Sequence, residues 1–91
     1  MHRVVITNHA RFELHRRGIP EEDVREVALA PEQVVFSSKR REVRQSRVHG
    51  PVTGRTMLLR VVVEKREGTL VVVTAYKTSK MDKYWVPEAE A

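Results

Sequence analysis

The chain has 91 residues, which is room for one small domain with a single core. Lysine and arginine number 17 against 12 acidic residues, a formal charge of +5 that points towards a polyanionic partner. With no cysteine, disulfides and thiolate metal ligands are excluded, and no run of about 20 apolar residues is present to span a bilayer.

The opening MHRVVITNHA holds an apolar run too short for a signal peptide, so a soluble, cytoplasmic protein is the expectation. Its β-branched stretch His2 to Thr7 predicts a short strand. Thr7 and Asn8 then offer N-caps for a helix through HARFELHRR, which Gly18 closes in a left-handed conformation. A second helix starts in IPEEDVREVALA. Pro20 suits its first turn, Glu21, Glu22 and Asp23 complement its positive end, and Val24, Val27 and Ala28 recur at helical spacing until Pro31 stops it.

From Val34 the period becomes that of strands. VVFSS is one strand, REVRQSRV a polar and exposed one, and RTMLLRVVVEK a third, with Gly50, Pro51 and Gly54 as breakers. The turn signal KREGT joins that third strand to TLVVVTAYK as an antiparallel hairpin, and the apolar character of both strands places them centrally. The expected fold is α+β, in the order β-α-α-β-β-β-β, with two helices on one face of an antiparallel sheet. Residues 1–86 form the single domain and 87–91 a frayed tail. Alternation on the last strand predicts Val71, Val73 and Ala75 under the helices, with Leu70, Val72, Thr74 and Tyr76 on the open face.

Charge is segregated along the chain. Pro20 to Glu32 is acidic, whereas Lys39, Arg40, Arg41, Arg44, Arg47, Arg55 and Arg60 follow one another with only Glu42 opposing. Such a segment suits a phosphate backbone, and equally suits the solvation and protection of strand edges.

HARFELHRRGIPEEDVREVALAPEQVV together with LLRVVVEKREGTLVVVTAYKTSKMDKYW resembles a domain-of-unknown-function family related to the RelE/ParE and BrnT-type toxins of toxin–antitoxin systems. The resemblance covers nearly the whole chain and is weakest over Ser37 to Gly54. It implies a RelE-like fold, toxin-type RNA binding or metal-independent RNA cleavage, and RNA, the ribosome or an antitoxin protein as partners. One departure is Glu13, which stands where the family commonly carries an arginine one turn after the histidine; Arg16 returns to the face of His9 instead.

In the catalytic version, His9 takes a proton from a ribose 2′-hydroxyl, Arg16, Arg60 and Lys77 offset charge on the phosphate, and Tyr76 orients a base or protonates the leaving oxygen. Thr74, Lys77, Lys80, Lys83 and Tyr84 are the candidate RNA contacts, and Trp85 is read as an anchor docking the tail on the sheet. Each has a structural alternative: helix capping for His9, the helix dipole for Arg16, core capping for Tyr76, and an ion pair with Glu64 or a helix carboxylate for Arg60. The four histidines show no ligand spacing, so neither a metal nor another cofactor is expected. The alternative function is a noncatalytic RNA- or antitoxin-binding module. A third reading is a small domain that forms homodimers through its polar edge strand.

Overall fold

A computed structural model describes residues 3–38, 40–50 and 54–87. His2, Lys39, Pro51 and the tail beyond Pro87 lie outside the described residues. The elements run β1 (Arg3–Ile6), α1 (Asn8–Arg16), α2 (Glu21–Leu29), β2 (Gln33–Ser38), β3 (Arg41–His49), β4 (Thr56–Arg66), β5 (Thr69–Thr78) and α3 (Met81–Tyr84). The predicted α+β class and element order hold. The short third helix is an addition.

Local chemistry accounts for the boundaries. The Thr7 hydroxyl accepts the Ala10 N–H at 3.0 Å and caps α1, and Gly18, at φ +67°, turns the chain out of it. Pro20 is the residue just before α2 and leaves the acidic first turn at the positive helix end. Glu67 and Gly68 both adopt positive φ between the paired residues Arg66 and Thr69, so the β4–β5 hairpin turns on two residues of the left-handed kind that a twisted hairpin favours.

The strands form one sheet in the order β1-β5-β4-β3-β2. β2 to β5 are successive antiparallel neighbours, but β1 lies parallel to β5, so the sheet is mixed rather than antiparallel throughout. The two long helices carry the chain from one edge to the other across a single face. Ala10 and Leu14 of α1 and Val24, Val27 and Ala28 of α2 close over Leu59, Val61, Val63, Leu70, Val72 and Ala75. Each fully buried leucine or valine contributes about 1.5–3 kcal/mol.

Two strand expectations are corrected. Val62 and Val63 pair with Thr74 and Val72, leaving Val73 as a bulge. That extra residue reverses the alternation, so Leu70 and Val72 face the helices along with Ala75, whereas Val71 and Val73 do not join the core. Thr74 and Tyr76 still fall on the helix-free face, because they lie beyond the reversal. The polar strand β3 is not exposed: it sits between β4 and β2, with Gln45 and Val43 buried. The edges of the sheet are β2 and, on the other side, β1.

Candidate functional site

The helix-free face is built around Arg60, only 8% exposed in the middle of β4. Its neighbours across the ladders are Gln45 on β3 and Tyr76 on β5, so all three side chains rise on the same face. Arg60 Nε donates to Gln45 Oε1 at 2.9 Å and Nη1 to the Tyr76 hydroxyl at 2.6 Å. The Tyr84 ring lies 4.0 Å from the guanidinium carbon, and Lys83 Nζ lies 5.2 Å from that same ring.

Every partner of this cation is neutral. Glu64, four residues beyond Arg60 on β4, instead holds Arg66 at 2.6 Å and Arg41 at 3.5 Å. No carboxylate among the described residues pairs with Arg60, and no buried side-chain nitrogen or oxygen lacks a hydrogen bond. Arg60 Nη2 makes no hydrogen bond among the described residues, and since no unbonded side-chain nitrogen there is buried, it keeps contact with solvent. A largely desolvated charge held by dipoles and ring faces is costly by several kcal/mol, and an anion arriving at that open nitrogen would lower the cost.

The C-terminal segment forms one wall of this site. Gln45 Nε2 donates to the Tyr84 carbonyl at 3.1 Å, and the Gln33 amide exchanges hydrogen bonds with both backbone groups of Val86. Trp85 is half-buried, with the Arg47 guanidinium 4.7 Å from its ring. This docking fixes Tyr84 over Arg60. The adjoining hollow is lined by Ser79, Lys80, Met81, Asp82 and Lys83. Neither Lys80 nor Lys83 has an ion pair among the described residues.

The structure therefore gathers Arg60, Tyr76, Lys83 and Tyr84, with Lys80 beside them. It does not bring the remaining candidates there. His9 is exposed on α1, in the helix layer, and makes no hydrogen bond or ion pair among the described residues. Arg16 pairs with Glu13 at 2.8 Å, and Arg17 binds the same carboxylate; hydrogen bonding from Arg16 holds Glu13 below the usual carboxylate range. Arg17 also donates to the Ala75 carbonyl at 2.7 Å and approaches the Thr74 hydroxyl at 3.4 Å, tying the end of α1 to β5. Lys77 pairs with Leu59, a core residue, and so sits on the helix side of the sheet.

The arginine-rich segment is largely neutralised in place. Arg41, Arg44 and Arg47 pair with Glu64, Glu42 and Glu32, and Arg44 also donates to the Ala28 carbonyl at the end of α2. It supports the fold more than it offers an uninterrupted cationic stripe. The residues that sequence reasoning missed are Gln45 and Gln33, polar side chains that hold the arginine and the tail. A glutamine at an inward position of β3 was the available signal, but only the strand register shows which residue it faces.

Fold and site together define an α+β domain whose helix-free sheet face presents an arginine with no counter-ion among the described residues, framed by two tyrosines and flanked by lysines. The chain belongs to the family described as Domain of unknown function (DUF4258), whose model matches residues 6–77. No curated protein and no solved structure matches it. Among the described residues no helix is long and apolar enough to cross a membrane, and no three His, Asp or Glu side chains are grouped as a metal site requires.

Proposed function

We propose that the chain is a RelE-like, toxin-type RNA-binding module that holds single-stranded RNA on the helix-free face of its sheet. The observation that carries this reading is the Arg60 guanidinium, buried against Gln45, Tyr76 and Tyr84 with no carboxylate and one nitrogen in solvent. A phosphate oxygen is the hard, anionic acceptor that such a nitrogen lacks. Tyr76 and Tyr84 offer planar faces and a hydroxyl to an unstacked base, the usual means of recognising single strands. Lys80 and Lys83 extend the positive field along a backbone.

The geometry favours binding without turnover over cleavage. His9 was the candidate proton acceptor, and it stands in the helix layer while Arg60 and Tyr76 face the other way. A ribose beside Tyr76 is separated from that imidazole by the sheet.

The test is anisotropy of a labelled single-stranded RNA titrated with protein at several salt concentrations. Binding weakens steeply with salt, and Lys80→Ala and Lys83→Ala each lower the salt slope by roughly one ion. Arg60→Met abolishes binding at a temperature where circular dichroism shows it folded, whereas His9→Ala binds like the wild type. RNA binding unaffected by Arg60→Met and by the lysine changes, or no salt-dependent binding at all, overturns the proposal.

A further inference from the structure

The edge strand β2 carries an exposed apolar cluster that the RNA-binding reading does not use. Phe36 is 78% exposed and Val34 51%, and they are two apart on one face of the strand. Leu29, 51% exposed, is the last residue of α2, four positions before β2 begins. Val34 and Phe36 are two of the six large exposed hydrophobics among the described residues. On its inner side β2 pairs with β3; on its outer side no backbone group is bonded to the chain among the described residues. An open apolar edge of this kind is a template for another strand.

We propose that the occupant is a second copy of this chain, joined antiparallel along β2 about a two-fold axis. The charge at the two ends of the strand selects this arrangement. Before β2 lie Glu32 and Glu26, the latter with no ion pair among the described residues, in a hollow they share with Arg47. After β2, Phe36 shares a hollow with Arg40, Arg41, Glu42 and Lys65; Arg41 is paired with Glu64 and Glu42 with Arg44, which leaves Arg40 and Lys65 without an ion pair among the described residues. With Glu32 held by Arg47, the charges left without an ion pair are the Glu26 carboxylate before the strand and the Arg40 and Lys65 cations after it, and antiparallel pairing of identical strands sets each start against the partner's end. A parallel copy would set like charge on like.

Strand geometry narrows the register. Only every second residue turns its N–H and C=O outward, so two identical strands match only if the axis passes a residue and not a peptide bond. The register shift between Phe36 and Ser38 confines regular pairing to the first part of β2. An axis at Val35 sets Val34 opposite the partner's Phe36 on both sides, which buries the exposed pair. Paired residues share a face, so the two sheets continue into one another and both Arg60 sites open on the same side.

Sedimentation velocity over a concentration series, combined with cysteine cross-linking, tests this. Because the chain has no cysteine, Val35→Cys supplies a single thiol on the proposed axis, and mild oxidation yields a covalent dimer. Phe12→Cys, on exposed α1, is the control that does not cross-link. Phe36→Lys weakens self-association at least tenfold, and Arg40→Glu weakens it less, with circular dichroism spectra unchanged because both positions are exposed. A monomer up to about 1 mM, the weakest association of interest, overturns the proposal. So does a dimer indifferent to Phe36→Lys, or Val35→Cys cross-linking no faster than Phe12→Cys. None of these outcomes bears on RNA binding, which is read separately.

Discussion

Replacing Arg60 with methionine removes the charge while keeping much of the side-chain volume, so its cost is set by the partners left behind. Gln45 is fully buried and its Oε1 loses the one donor it has among the described residues, a loss of about 1–3 kcal/mol. The contact with the Tyr84 ring removes about 1 kcal/mol more, at the lower end for a partly desolvated cation and an aromatic face. The Tyr76 hydroxyl is half-buried and turns to water at little cost. Against these stands relief from burying an unpaired charge, which offsets part of the sum. The net expectation is a destabilisation of about 2 kcal/mol, equivalent to roughly 8–16 °C in Tm for a domain of this size. Thermal denaturation followed by circular dichroism measures it, with Lys83→Met as the surface control. A Tm for Arg60→Met within about 4 °C of wild type, less than 1 kcal/mol on the same scale, refutes the assignment of Arg60 as the organiser of this face.

Two further outcomes test the frame that holds the site. Gly68→Ala lowers stability by about 1–2 kcal/mol, because a Cβ meets no neighbouring atom there and the whole cost is the left-handed backbone at φ +79°; urea denaturation reads it. Acid weakens the fold through Glu32, whose carboxyl is drawn down to about 2 by hydrogen bonding from the Arg47 side chain and then its backbone N–H. A lowered carboxyl stabilises above its usual value of about 4.5 and loses that contribution as pH falls towards about 2. The pair is partly exposed, so the effect is discounted to at most about 1 kcal/mol. Melting curves across that window decline more steeply for wild type than for Arg47→Met.

Where structure followed from local chemistry, the sequence was readable. Thr7 before a helical stretch, the acid-rich first turn after Pro20, Gly18 at a left-handed position and the Glu67-Gly68 turn each specify their conformation within a few residues. What was not readable depends on partners distant in the chain. REVRQSRV has the composition of an exposed strand, yet its arginines are neutralised by Glu42, Glu32 and Glu64, and this lets it lie inside the sheet. Strict alternation failed at Val73, because a one-residue bulge carries no marker in a run of valines. For the site, Arg60 and Tyr76 stood out as a charge and a phenol in apolar strands. Their meeting with Gln45 depends on a register between strands, and the covering by Tyr84 depends on a four-residue helix too short to have a periodic signal.

Whether Arg60 serves the fold or a ligand can be separated, because the two roles respond differently to removing its partner as well. If the arginine were kept for stability alone, an apolar pair would serve as well: replacing a buried charge and its polar partner together with apolar groups of similar size is often neutral or stabilising. In Arg60→Met with Gln45→Leu, the orphaned Oε1 that dominates the single substitution is absent. The new cost is the loss of both Gln45 Nε2 donations, to the Tyr84 carbonyl and to Gln33 Oε1, together about 1 kcal/mol because Gln33 Oε1 keeps the Val86 N–H and the carbonyl lies at the edge of the tail. The double variant should therefore regain about half of the 2 kcal/mol lost by the single one, a non-additivity that contact between the two side chains makes expected. RNA affinity does not return with it, since the solvent-facing nitrogen is gone. A double variant that costs the sum of the two single changes would mean that the network holds the face together by some means other than the Arg60–Gln45 bond. Recovery of RNA binding along with stability would mean that Arg60 shapes the surface without touching the phosphate.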